Sequence, residues 1–319
     1  MQAYFEWLPI RPWSEGNNEE IYRSFSFGDL VDLHMLDTRI LARDEQLEYT
    51  DYFDYSTYVL DEITLNADLT DTNRTMIGTE QMTWLQEKAT SSTGQWEVLG
   101  QQVLMGKMYL PGAVALGIMS TTEYVELGTI AVLAARNQAG DTTLTNDEAI
   151  YLNENSERLT DDVITQLSLP DLPYNLDAWD GYAADRDTIL NAFNDNNQNL
   201  IVLAGDTHNA WANELSNSEG KVMAVEFATS SISSPGLEYY LGISDDAADV
   251  TEAGLVSLID GLKYVNSTNR GFLTVTFTQE AAQADWYFVD TILSTDYETL
   301  TTRQTSAATT SGTPSIILS

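Results

Sequence analysis

Apolar positions recur along this chain with two periods, and the switches between them lay out its elements. In SFSFGDLVDLHMLDTR, residues 24–39, Phe25 and Phe27 alternate with polar neighbours, and Val31, Leu33 and Met35 do the same beyond Gly28–Asp29. Two strands joined as a hairpin are predicted. Residues 66–73 are polar and read as a loop. Gly78-Thr79-Glu80 then opens a helix, with Thr79 as its cap, Glu80 in the first turn, and Met82, Leu85 and Ala89 facing inward. Trp96–Met105 reads as a strand with Val98, Gly100, Gln102 and Leu104 on one side, whereas the acidic stretch 137–176, with Gly140, Pro170 and Pro173, predicts a long irregular excursion.

The helical period returns from Gly181 to Phe193 through Tyr182, Ile189, Leu190 and Phe193, and feeds a strand at Leu200–Ala204. KVMAVEFAT, GFLTVTFT and ADWYFVDTI follow as further strands. Alternation of helix and strand in the middle, with meandering strands later, predicts a mixed α/β layered arrangement. Residues 299–319, rich in Ser and Thr without an apolar period, are expected to be a flexible tail after a structured region 1–298.

Composition changes the picture in two respects. Forty-nine acidic against fourteen basic residues give a net charge of −35. Such a surface repels phosphate backbones, which argues against nucleic-acid binding as such, and it suits water with enough salt to screen self-repulsion, as in a marine or halophilic setting. Cysteine is absent, so disulfides, thiolate metal sites and a Cys nucleophile are excluded, and any metal must be held by carboxylate, imidazole, amide, hydroxyl or water. No stretch of the sequence has the roughly 20 apolar residues a membrane span needs, and its start lacks the pattern of a secretion signal.

Candidate chemistry centres on the end of the Leu200–Ala204 strand. Ligands in open α/β sheets gather beyond the carboxyl ends of strands, and Asp206 and His208 stand there after Gly205. In an extended corner, residues two apart project to one side, so the two could share a cation. Equally, Asp206 could cap the next turn and His208 bond a carbonyl. Four residues alone do not decide between these. His34, the other of the two histidines, sits in a strand-like run and reads as a satisfied histidine. Asp37 and Arg39 end that strand; a guanidinium fork suits phosphate, and an Arg–Asp pair bracing a strand end suits the same residues. Asp180 is placed to cap the helix after it. Ser230–Ser234 lacks a Gly-x-Ser-x-Gly elbow, which counts against a serine hydrolase, and phosphate-binding Gly-rich loops are absent.

LAGDTHNAWANEL resembles the Gly-Asp-x-His-Asn-Ala-Trp block of the alkaline phosphatase D (PhoD-like) family of calcineurin-like metallophosphoesterases. FGDLVDLHMLDTR, GTEQMTWLQE, WEVLGQQVLM, YNLDAWDGYAADR, FATSSISSPG and LKYVNSTNRGFLTVTF resemble its other blocks in order, over roughly Tyr4 to Asp290. The resemblance implies a layered β-sandwich flanked by helices and hydrolysis of small phosphate mono- and diesters, with iron and calcium as the ions. It implies metal ligation by Asp206 and His208, extends a substrate-binding role to Arg39 and Asn209, and points to an extracellular or periplasmic setting. The family's early metal-binding blocks have no counterpart in this sequence. The chain is therefore expected to hold one wall of the site, incomplete at its N-terminal side, and to need a second copy or a complementing N-terminal fragment. A catalytically inactive acidic module that keeps the fold and binds calcium, and an extracellular structural protein, are the alternatives.

Overall fold

The computed structural model describes residues 2–12 and 20–319. They divide into two compact units.

The larger unit takes in residues 1–46, 68–107 and 176–319 and carries two sheets. The first has seven strands: β1 (Arg23–Phe27), β2 (Val31–Met35), β3 (Trp96–Gly100), β4 (Leu200–Ala204), β5 (Ala210–Ser216), β6 (Val222–Ala228) and β7 (Leu262–Asn266). Their order across the sheet is β1-β2-β3-β4-β6-β5-β7. β2, β3, β4 and β6 run parallel, while β1, β5 and β7 pair antiparallel with their neighbours. The second sheet is an antiparallel meander of β8 (Arg270–Phe277), β9 (Ala281–Val289), β10 (Thr305–Thr310) and β11 (Thr313–Leu318).

Strand β4 shows why the sequence builds layers. LIVLA is apolar throughout because both of its faces are covered. Leu200 and Val202 face a core shared with Leu85 and Ala89 of helix α1 (Gly78–Ser91) and with Ile189, Leu190 and Phe193 of α2 (Ala183–Asp195). Ile201 faces the other way, into a core with Val225, Phe227 and Ala284, Trp286 and Phe288 of β9. The unit is thus a β-sandwich with helices on its outer face, a mixed α/β architecture. The β1–β2 hairpin turns at Gly28, whose φ of 67° is readily open to glycine.

Three expectations are corrected. Residues 299–319 are not a loose tail: β10 and β11 form a hairpin that extends the second sheet, turning at Gly312 with φ 77° and burying Ala307 and Thr309. Residues 137–176 are mostly helical. All but the last of them belong to the second unit (47–67 and 108–175), where helices Thr121–Gln138, Asn146–Asn155 and Asp161–Leu167 pack around Leu127, Ile130, Leu133 and Leu152. The polar loop at 66–73 begins inside a helix, Glu62–Leu69. A smaller difference concerns α1: the hydroxyl that accepts from Gly78 N is that of Thr75, at 2.7 Å, rather than that of Thr79. Gln81 joins Leu85 and Ala89 on its buried face, while Met82 is half-buried.

Candidate functional site

The corner between β4 and β5 is not extended. Asp206 and His208 both adopt left-handed backbone conformations, φ 68° and 63°, and glycine at 205 does not. A non-glycine residue in that region is uncommon, and such residues persist where their surroundings over-determine them. Here Thr207 N closes on Gly205 O at 2.8 Å, the buried Trp211 donates its indole N–H to Thr207 Oγ1 at 2.8 Å, and Gly205 N reaches Gln102 O at 3.2 Å. Gln102 in turn accepts from both the backbone and the hydroxyl of Thr38.

His208 is half-buried and its Nδ1 lies 2.6 Å from the carbonyl oxygen of Pro235. A carbonyl only accepts, so Nδ1 donates its proton there, and in the neutral ring the lone pair is then on Nε2; this orientation is common among metal-ligating histidines. The loop that supplies Pro235 is itself tied down, with Ser231 N on His208 O at 3.1 Å and Ser231 Oγ on Ser234 O at 2.8 Å. Asn209 is fully buried beneath the corner. Its amide donates to Ser267 O at 2.7 Å and accepts from Leu237 N at 2.8 Å, and a Cβ at Gly236 would lie 2.7 Å from its side chain. It braces two loops from below and does not face solvent.

The exposed carboxylate of Asp206 meets the guanidinium of Arg39, Nη2 to Oδ1 at 3.0 Å. The other nitrogen of Arg39, Nη1, sits on both oxygens of Asp177, at 2.9 and 2.8 Å. Arg43 approaches Asp177 as well, through its carboxylate and its backbone carbonyl, each at 2.5 Å. Burial alone would lower the pKa of Arg39; the hydrogen bonds and charge of Asp177, with those of Asp206, outweigh it and raise the value. Asp37 does not pair with this side chain. Its buried carboxylate accepts from the backbone N–H groups of Arg39, Ile40 and Leu41, which turns the chain after β2 so that Arg39 points at the corner. Asp177 and Arg43 are members of this cluster that sequence spacing did not single out as partners.

The remaining candidates fall elsewhere. His34 is buried, with Nε2 on Glu97 and Nδ1 on Ser24, each at 2.7 Å, so it is a satisfied core histidine. Asp180 is buried within the short helical turn before α2, and no side-chain cap is formed at the start of that helix. Among the described residues, no group of three or more His, Asp or Glu gathers around one point.

Set beside known proteins, residues 1–286 match the family model of the PhoD-like phosphatases. The chain belongs to the PhoD-like phosphatase family. Alkaline phosphatase D of Bacillus subtilis (strain 168) is 27% identical over 292 residues, a stretch that covers 89% of this chain and 37% of that protein. The solved structure of PhoD superposes with a TM-score of 0.63 at 21% identity, over 99% of this chain and 47% of that one, and so confirms the fold. The chain thus spans less than half the length of either relative. No helix among its described residues is long and apolar enough to cross a membrane.

Proposed function

We propose that the β4–β5 corner is one wall of a metal-dependent phosphoester-hydrolysing centre. The observation that carries this reading is His208: its Nδ1 is committed to Pro235 O, which leaves Nε2 as a ligand atom two residues from an exposed carboxylate. The donor set fits a borderline ion such as iron, which takes both imidazole nitrogen and carboxylate oxygen; calcium, a hard ion, would use Asp206 and not His208. Such ions, when bound, neutralise phosphoryl oxygens and lower the pKa of a coordinated water.

The chain's own residues then have distinct tasks. Asp206 and His208 hold the cation and are the catalytic pair. Arg39 keeps Nη1 on Asp177 and turns its other edge from Asp206 to a phosphoryl oxygen, supplying positive charge on a protein whose overall charge of −35 opposes anions. Asn209, from its buried position, is a positioning residue for His208. Two ligands do not close a coordination shell, so a second copy of this chain or a complementing segment supplies the others. We place the protein in an extracellular or periplasmic setting, where salt screens a surface of net charge −35.

Turnover of p-nitrophenyl phosphate and bis(p-nitrophenyl) phosphate, with and without added iron and calcium, tests the proposal. Metal-dependent turnover that Asp206→Asn and His208→Ala each abolish, with folding intact, supports it; wild-type rates in either variant remove that residue from the mechanism. A second reading, a non-catalytic acidic module that keeps the fold, draws on the lack of a third ligand at the corner among the described residues; any calcium it binds would be held by carboxylates elsewhere on the surface. A folded protein that turns over neither ester under any metal condition would point to it.

A further inference from the structure

A second feature lies on the same edge of the sandwich. Where β8 begins and β9 ends, the chain leaves a groove of about 520 Å³, lined by Ile232, Ser233, Phe272, Tyr287, Ile292 and Tyr297 among others. Its volume is in the range of roughly 300–1,000 Å³ that small-molecule sites span. Phe272 and Tyr287 stack along it with centroids 5.1 Å apart and planes 19° from parallel. Phe272, Tyr297 and Ile232 are 55%, 58% and 82% exposed, so this apolar surface faces solvent. On a protein with a net charge of −35, none of the described residues lining the groove is charged. An anionic ligand meets no carboxylate there.

The groove is joined to the candidate site by two hydrogen bonds in series. Ser231 N donates to His208 O at 3.1 Å, and Ser231 O accepts from Gly271 N, which lines the groove, at 3.2 Å. The loop 231–235 is therefore a shared wall. Pro235 on one part of it holds the His208 ring, and Ile232 and Ser233 on another line the groove.

We infer that this groove binds the alcohol portion of the phosphoester, and that the alcohol it selects is aromatic or bulky and apolar. The inference rests on the phosphoester reading above: the phosphoryl group lies at the corner and its alcohol extends over loop 231–235 onto the Phe272–Tyr287 stack. Small polar alcohols leave the groove empty and gain nothing from it.

Binding, not turnover, separates the role of the groove from that of the phosphoester corner. Calorimetric titration of the full chain, with iron and calcium present, would compare methyl phosphate, 1-naphthyl phosphate and neutral 1-naphthol. Naphthyl phosphate is expected to bind on the order of tenfold or more tightly than methyl phosphate. Phe272→Ser and Ile232→Ser, both at solvent-facing positions, are each expected to reduce that advantage and leave methyl phosphate unaffected; circular dichroism checks the fold of each. Equal binding of the two phosphates to the wild type overturns the inference. Failure of naphthol to bind overturns the groove assignment whatever the phosphates do. Naphthol binding that both substitutions weaken, with no binding of either phosphate, overturns the phosphoester reading and with it the assignment of the groove to an ester.

Discussion

Glu226 offers the sharpest test of the energetics inside the sandwich. It lies in the middle of β6 with no exposed surface, and its carboxylate accepts from Met105 N at 2.6 Å, Gly106 N at 2.8 Å and Asn213 Nδ2 at 2.9 Å. Burial pushes its pKa from 4.5 up to about 7, against the pull of those three donors. The folded protein therefore binds this proton more tightly than the unfolded chain does. The resulting stability is fully present below about 4.5 and is lost as pH rises through about 7. A gap of that size corresponds to about 3 kcal/mol. Glu226→Gln removes the titration. Its amide also turns an N–H toward a donor, a pH-independent penalty of about 1–3 kcal/mol. Urea unfolding of wild type and Glu226→Gln, at constant salt from pH 4.5 to 8, isolates the carboxyl because every other group is common to both. The stability difference is expected to shift by about 3 kcal/mol in favour of the variant as pH rises. A difference that stays flat, or moves the other way, would mean that Glu226 does not bind its proton more tightly in the folded protein.

Three further outcomes follow from the packing and charge. Gly78→Ala places a Cβ 2.4 Å from that of Ala42 on a backbone at φ 74°, and should destabilise by about 1–3 kcal/mol in thermal or urea unfolding. Trp286→Ala empties a fully buried site beside Phe227 and Tyr264 and removes the donor to Ala228 O, so a loss of about 3–5 kcal/mol is expected. Raising sodium chloride from low concentration to about 1 M should increase the urea midpoint, because a charge of −35 repels itself less when screened; a falling midpoint would contradict this.

What could be read from the chain alone depended on how strongly its environment marks each segment. Leu200–Ala204 was legible to the residue because both faces are buried and every position is apolar. The hairpin at Gly28 was legible from a period of two broken by a glycine. The helices within 137–176 were obscured because each buries few side chains; Asn146–Asn155 buries only Leu152. Their signal lay in their starts, where Thr145 and Glu148 form a reciprocal capping box and Thr160 accepts from Val163 N. The terminal hairpin hid behind small side chains: Ala307 and Thr309 pack without looking apolar, and Ser311–Gly312 was its only turn mark. At the site, the type of residue was readable and the partnership was not. Arg39 meets Asp177 across 138 positions and Asp206 across 167, distances at which no spacing rule operates. The left-handed backbone at Asp206 and His208 accompanies a hydrogen bond from Trp211 to Thr207 and another from Gly205 N to Gln102 O, partners that lie outside the four residues of the corner.

In the proposed site, His208 offers Nε2 to a cation that Asp206 also holds. The chain has two histidines, and the buried His34, with both ring nitrogens engaged, serves as an internal control. Long-range proton–nitrogen NMR of both imidazoles, during anaerobic titration with ferrous iron, reads the claim at the atom. An Nδ1–H tautomer is expected for His208 before metal is added, then selective broadening of its Nε2 signal that Asp206→Asn weakens, while His34 is unchanged. An Nε2–H tautomer, or a His208 ring that iron leaves untouched, would rule out ligation through Nε2.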